Sequence, residues 1–121
     1  MATLTPLAKG GSLAVAGLHV GFFVLEALLW TAPTGRKIFR MSKEKADTTK
    51  VLAANQGVYN LALAAVLAWA AVTPGQDKAA LALLGFVAAV GAFGAATVSR
   101  TILYVQAVPA LLALGAAYRG V

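Results

Sequence analysis

The chain has 121 residues, 60% of them hydrophobic and 12% charged, with a formal net charge of +6. So little charge in so small a chain excludes an ordinary water-soluble globule. With no cysteine and a single histidine, disulfides, thiolate chemistry and a zinc centre are excluded too, and neither metal nor cofactor is expected.

Four apolar stretches follow one another, about Gly11–Ala32, Val51–Val72, Ala79–Ser99 and Ile102–Tyr118. The first three reach the roughly 20 residues a helix needs to cross a bilayer, and the fourth meets the lower limit of about 17. Lipid offers no partner to an open sheet edge, so the expected fold is all-α. It is an integral membrane four-helix bundle forming a single domain over 1–121. The first stretch, preceded by Lys9, has the outline of a signal peptide. Its length, its His19 and Glu26, and the three stretches that follow make it a first transmembrane helix instead.

Ala32-Pro33-Thr34-Gly35 is a turn signal that ends the first helix. Within the polar connection Thr31–Lys50, Ser42 is placed to cap a helix that runs into the second span, with Lys45 opposite Glu44 or Asp47. Thr73-Pro74-Gly75-Gln76-Asp77 reads as a tight turn. Ser99-Arg100-Thr101 is short enough to make the last two helices an antiparallel hairpin. Pro109 lacks the N–H that would reach the carbonyl of Val105 and is expected to kink the fourth helix.

Charge sets the orientation. Arg36, Lys37, Arg40, Lys43, Lys45, Lys50 and Arg100 fall on one side, and Lys9, Lys78 and Arg119 on the other. The positive-inside rule puts the basic first loop in the cytoplasm and both termini outside, as for a multi-pass protein of a bacterial inner membrane. The loop cations are expected to meet anionic lipid headgroups of the bilayer, not nucleic acid.

Small residues recur at four-residue spacing in Gly17–Gly21, Gly85–Ala89 and Gly91–Ala95–Ser99. This spacing lets membrane helices approach closely, within one chain or across a homo-oligomer seam, and packing within the chain is the favoured use.

Polar side chains are the informative exceptions. A charged residue at mid-helix in a bilayer costs about 2.5–3.5 kcal/mol on insertion scales, so it persists where it faces protein or water. His19, Phe23, Glu26 and Trp30 advance by four, three and four residues, a single stripe if the helix is regular. Asn55 and Tyr59, like Gln56 and Asn60, are four apart at the start of the second span. With Arg100 and Gln106, these residues fall at one level in the cytoplasmic half, with His19 higher. A polar pocket is expected there, with aromatic walls from Phe22 or Phe23, Trp30 and Tyr59. The same residues also have structural uses: Asn and Gln as interhelical glue, Arg100 snorkelling to headgroups, or a Glu26–Arg100 ion pair.

The runs Glu26-Ala27-Leu28-Leu29-Trp30, Gly35-Arg36-Lys37-Ile38-Phe39 and Thr49-Lys50-Val51-Leu52-Ala53-Ala54-Asn55-Gln56-Gly57-Val58-Tyr59-Asn60 carry a family resemblance. So do Ala96-Thr97-Val98-Ser99-Arg100 and Gln106-Ala107-Val108-Pro109-Ala110. Together they resemble the small bacterial membrane family known as domain of unknown function 1304, over nearly the whole chain. The resemblance implies a four-helix membrane fold and no established activity.

Three kinds of function fit these residues. The first is binding or moving a small amphipathic ligand or lipid in the inner-half pocket. In layout this is similar to small multidrug transporters, although the loop-charge asymmetry argues against their inverted dimer. The second is an enzyme acting on a lipid-soluble substrate with Glu26 and His19, which at seven residues apart stand about 10 Å apart along the axis and would act at opposite ends of the substrate. The third is a structural or accessory subunit. The pocket-bearing membrane protein is the reading carried forward.

Overall fold

Thr5 and Pro6 start the first helix. The Thr5 hydroxyl accepts the N–H of Ala8 at 3.3 Å, and Pro6 fills the first helical position, where a missing N–H costs nothing. A computed structural model describes residues 2–97, 101 and 103–120 of the chain. The predicted site residue Arg100, together with Ser99 of the small-residue series, lies outside the described residues.

The described residues are helical, with no strand among them. Helix α1 spans Pro6–Phe23 and runs directly into a π-helical turn, Val24–Leu28. Helix α2 is Pro33–Phe39, α3 is Lys43–Val72 and α4 is Asp77–Thr97. A second π-helical turn, Leu103–Ala107, leads into α5, Val108–Arg119. Three segments are long and apolar enough to cross a membrane: Pro6–Leu28 with 23 residues, Lys43–Val72 with 30, and Asp77–Thr97 with 21.

Several local expectations meet the structure here. Ser42 caps α3, its hydroxyl accepting the N–H of Lys45 at 3.1 Å, so the interfacial helix and the second span are one rod. The first helical segment runs from Pro6 through the π-helical turn to Leu28. The Pro33 turn signal, expected to end the first helix, instead opens a new short helix five residues beyond that end, because proline is as well suited to a helix start as to a turn. Pro109 sits in the first turn of α5, directly after the second π-helical turn. In a first turn the proline's missing N–H interrupts no bond of α5 itself.

The chain divides into two compact units, one made of Met1–Leu18 with Ala65–Val121, the other of His19–Ala64. In the first unit, Leu4, Ala8, Ala70, Ala71 and Ala80 form a buried cluster. Gly91 of α4 lies so close to the second π-helical turn that an added Cβ would stand 2.7 Å from the backbone nitrogen of Ala107. Gly11 of α1 meets Ala113 of α5, where a Cβ would come within 3.2 Å of the alanine methyl. Gly75, at φ 85°, turns the chain between α3 and α4, a conformation glycine adopts without a Cβ clash. Its N–H donates to the carbonyl of Ala2 at 2.6 Å. The Gly17–Gly21 pair behaves differently from the expected packing within the chain, for no atom lies within 4 Å of a Cβ added at either position.

Candidate functional site

The second unit, His19–Ala64, holds the polar residues singled out from the first and second spans. Its geometry starts with the π-helical turn. The N–H of Leu29 bonds to the carbonyl of Val24 at 3.0 Å, five residues back instead of four. Such a turn holds an extra residue and rotates the downstream side chains relative to a regular helix. The stripe expected for His19, Phe23, Glu26 and Trp30 is therefore broken. Glu26 lies inside the widened turn, while Trp30 lies beyond it, in the bend that leads to α2.

Each half of the broken stripe finds its own partner on α3. The Asn60 amide donates to the Glu26 carboxylate, Nδ2 to Oε1, at 2.5 Å. The Trp30 indole N–H donates to the Thr49 hydroxyl at 3.0 Å, and that hydroxyl donates to the Lys45 carbonyl at 2.7 Å. The Trp30 ring also packs against Phe39 of α2, with centroids 4.8 Å apart.

Gly57 makes the Glu26 contact reachable. A Cβ there would come within 3.1 Å of both the nitrogen and the Cβ of Ala27, and within 3.3 Å of the Glu26 Cβ. The π-helical turn thus crosses α3 at the one residue without a side chain, and Asn60 lies one helical turn further along. Gly35 does the same for α2, since a Cβ there would run into the carbonyl of Leu29.

Beside this crossing opens a cleft of about 340 Å³. Glu26, Asn55 and Lys50 give it polar edges, Ala27 and Ala54 an apolar floor, and Trp30 an aromatic side. A carboxylate has roughly four acceptor positions, and the amide of Asn60 occupies one of them. The arrangement can therefore present negative charge against an apolar wall.

The structure brings together Glu26, Asn60, Asn55 and Trp30 from the predicted set. Gln56 and Tyr59 lie on the exposed side of α3, with Tyr59 72% exposed, so Tyr59 forms no wall of this cleft. His19 is fully buried, with its ring edge-on to Phe22 at 5.0 Å, and is not part of the cleft lining. Gln106 is half-buried in the second π-helical turn of the other unit. Among the described residues, no three His, Asp or Glu side chains converge as a metal site would require.

Sequence reasoning missed Gly57, Thr49 and Lys50 as parts of the site. Gly57 carries a readable signal, because a glycine amid polar residues of a membrane helix marks close backbone approach. Thr49 has none, since its role depends on where the π-helical turn delivers Trp30.

No curated protein and no solved structure matches the chain. Its sequence does match a family over residues 13–118, a stretch that contains every residue of the cleft and both π-helical turns. The chain belongs to that family, described as Protein of unknown function (DUF1304).

Proposed function

We propose that this protein is a multi-pass protein of the bacterial inner membrane that binds or moves a small amphipathic ligand at the Glu26–Asn60 cleft. Residues 103–119 supply the fourth span of a four-helix bundle. Both termini face out, and the basic stretch from Arg36 to Lys50 faces the cytoplasm, as its excess of cations favours.

The observation that carries the reading is the Glu26 carboxylate, anchored by Asn60 at the edge of a cleft whose other walls are largely apolar. A cationic or hydrogen-bond-donating group of the ligand sits against Glu26. Its hydrocarbon part lies along Ala27, Ala54 and the Trp30 ring, and Lys50 meets any acidic group at the rim. Sites for small molecules commonly combine a few placed polar groups with apolar walls in this way.

Native mass spectrometry of the gently extracted protein, wild type beside Glu26→Gln, tests it. A co-purifying small molecule or lipid, retained by the wild type and lost from the variant, is the expected result. The same hydrogen bond also favours a second reading, a structural or accessory subunit in which Glu26 and Asn60 only fasten the π-helical turn to α3. If neither protein releases a specific molecule and the variant merely melts lower, the second reading replaces the first.

A further inference from the structure

Helix α2 and its C-terminal residue carry two features that the cleft does not explain. The first is Arg36. Its side chain is half-buried, and its Nε is fully buried with no hydrogen-bond acceptor among the described residues. A buried donor left without a partner forfeits its hydration for nothing in return, so native structures seldom keep one without a use.

The second is Arg40. It ends α2 in the left-handed conformation, φ 53° and ψ 50°, with its backbone N–H turned back to the carbonyls of Arg36 and Lys37. Met41 closes the turn by donating to Arg36 at 2.9 Å. Among the described residues Arg40 is the one non-glycine with positive φ. Glycine is the usual residue at this position, because the Cβ of an L side chain crowds the following carbonyl there. An arginine retained against that crowding points to work done by its guanidinium.

The surroundings define what that work is. From Ala32 to Lys43 the chain contains Arg36, Lys37, Arg40 and Lys43 and no acidic residue. Between the cations stand Ile38 and Phe39, 54% and 40% exposed. The helix lies between two membrane-length segments, one ending at Leu28 and the next starting at Lys43, so in the membrane setting proposed above it sits at the membrane surface. It is also held firmly, with Gly35 against the Leu29 carbonyl and Phe39 against Trp30. Guanidinium groups bind phosphate through paired, charge-assisted hydrogen bonds.

We infer that α2 and Arg40 form a binding site for the phosphate of an anionic phospholipid. Arg36 and Arg40 hold the phosphate, Lys37 adds charge, and Ile38 and Phe39 lie against the glycerol and upper acyl carbons. The inference rests on the membrane setting and not on the ligand of the cleft.

The test titrates the purified protein in mild detergent with phosphatidylglycerol, phosphatidylcholine or inorganic phosphate, read by native mass spectrometry. Wild type, Arg36→Gln, Arg40→Gly, Glu26→Gln and Lys78→Gln are compared. The wild type is expected to retain phosphatidylglycerol in preference to phosphatidylcholine. Arg36→Gln and Arg40→Gly should each weaken that retention about tenfold, the loss of one charge-assisted hydrogen bond, whereas Lys78→Gln and Glu26→Gln should keep it. Arg40→Gly relieves the left-handed strain, so it should melt no lower than the wild type without lipid, which keeps the test clear of misfolding.

Equal retention of the two lipids, or full retention of phosphatidylglycerol by Arg40→Gly, overturns the inference. Displacement of the lipid by an equal concentration of inorganic phosphate assigns the site to free phosphate and overturns the lipid assignment. Loss of a cleft ligand in Glu26→Gln with phosphatidylglycerol still bound keeps the two proposals separate.

Discussion

The two units of the chain solve helix packing by different means. In the unit built from Met1–Leu18 and Ala65–Val121, contacts are made by residues with almost no side chain: Gly91 on Ala107, Gly11 on Ala113, and the cluster of Ala8, Ala70, Ala71 and Ala80 around Leu4. The hydroxyls of Ser12 and Thr97 donate to carbonyls four residues back in their own helices, and that of Thr73, just past α3, donates to Trp69 within it. In the unit His19–Ala64, side chains bond between elements, Asn60 to Glu26 and Trp30 to Thr49. The first pattern maximises van der Waals contact where lipid provides no hydrophobic drive for association. The second fixes particular side chains in place, as the proposed ligand site would require.

The comparison can be broken most severely at Gly91. Gly91→Leu drives a side chain into the backbone of Ala107, and overpacking of this kind typically costs about 1–3 kcal/mol and occasionally more. Thermal melting in detergent should show the largest fall of this series, with Gly85→Ala as the control, because nothing lies within 4 Å of a Cβ there.

Gly57→Ala comes next. Its Cβ would press on Ala27 and Glu26 at 3.1–3.3 Å, so α3 and the π-helical turn must separate by a few tenths of an ångström. A loss of about 1–2 kcal/mol is expected, and with it a lengthened Asn60–Glu26 bond, readable as a shift of the Asn60 side-chain amide resonance.

Asn60→Ala removes the partner of Glu26 without adding bulk. Hydrogen bonds between membrane helices average about 0.6 kcal/mol and reach about 1.7, and the loss should fall in that range. A double-mutant cycle with Glu26→Gln should return most of it as coupling. A coupling near zero would show that the two side chains act independently.

Trp30→Phe keeps the ring against Phe39 and deletes the indole N–H, for an expected loss of about 0.5–1.5 kcal/mol. Thr49→Val should match it, and the double variant should cost little more than either. The smallest effect belongs to Gly17→Ala. With open space at its Cβ, the helix-propensity gain of up to about 1 kcal/mol should leave the monomer as stable as before or more so.

Much of the architecture is legible in the residues. Apolar stretches of membrane length predict helices in the right order, and Ser42 marks the start of α3 because its hydroxyl satisfies an orphan N–H from within the local sequence. Glu26 and Asn60 both stand out as costly polar groups at the same depth, and they are partners. Trp30 falls on a different line from the one its spacing suggests. A regular helix carries the His19 stripe to residue 30, and nothing in Val24–Leu28 announces a π-helical turn. That turn meets α3 at Gly57, a contact between residues some thirty positions apart in the chain.

The residues by themselves determined whatever depends on local and solvent physics. Hydrophobic length sets which segments can cross a bilayer, hydroxyl and proline caps set where helices begin, and the cost of a carboxylate in lipid means that Glu26 must have company. Only the tertiary structure decided which company: Asn60 for Glu26, Thr49 for Trp30, an open cleft beside them, and a basic short helix packed against Leu29 and Trp30. The physical reason is that these partners lie far apart in the chain and meet only where the widened turn crosses α3 at Gly57, a crossing with no local signature.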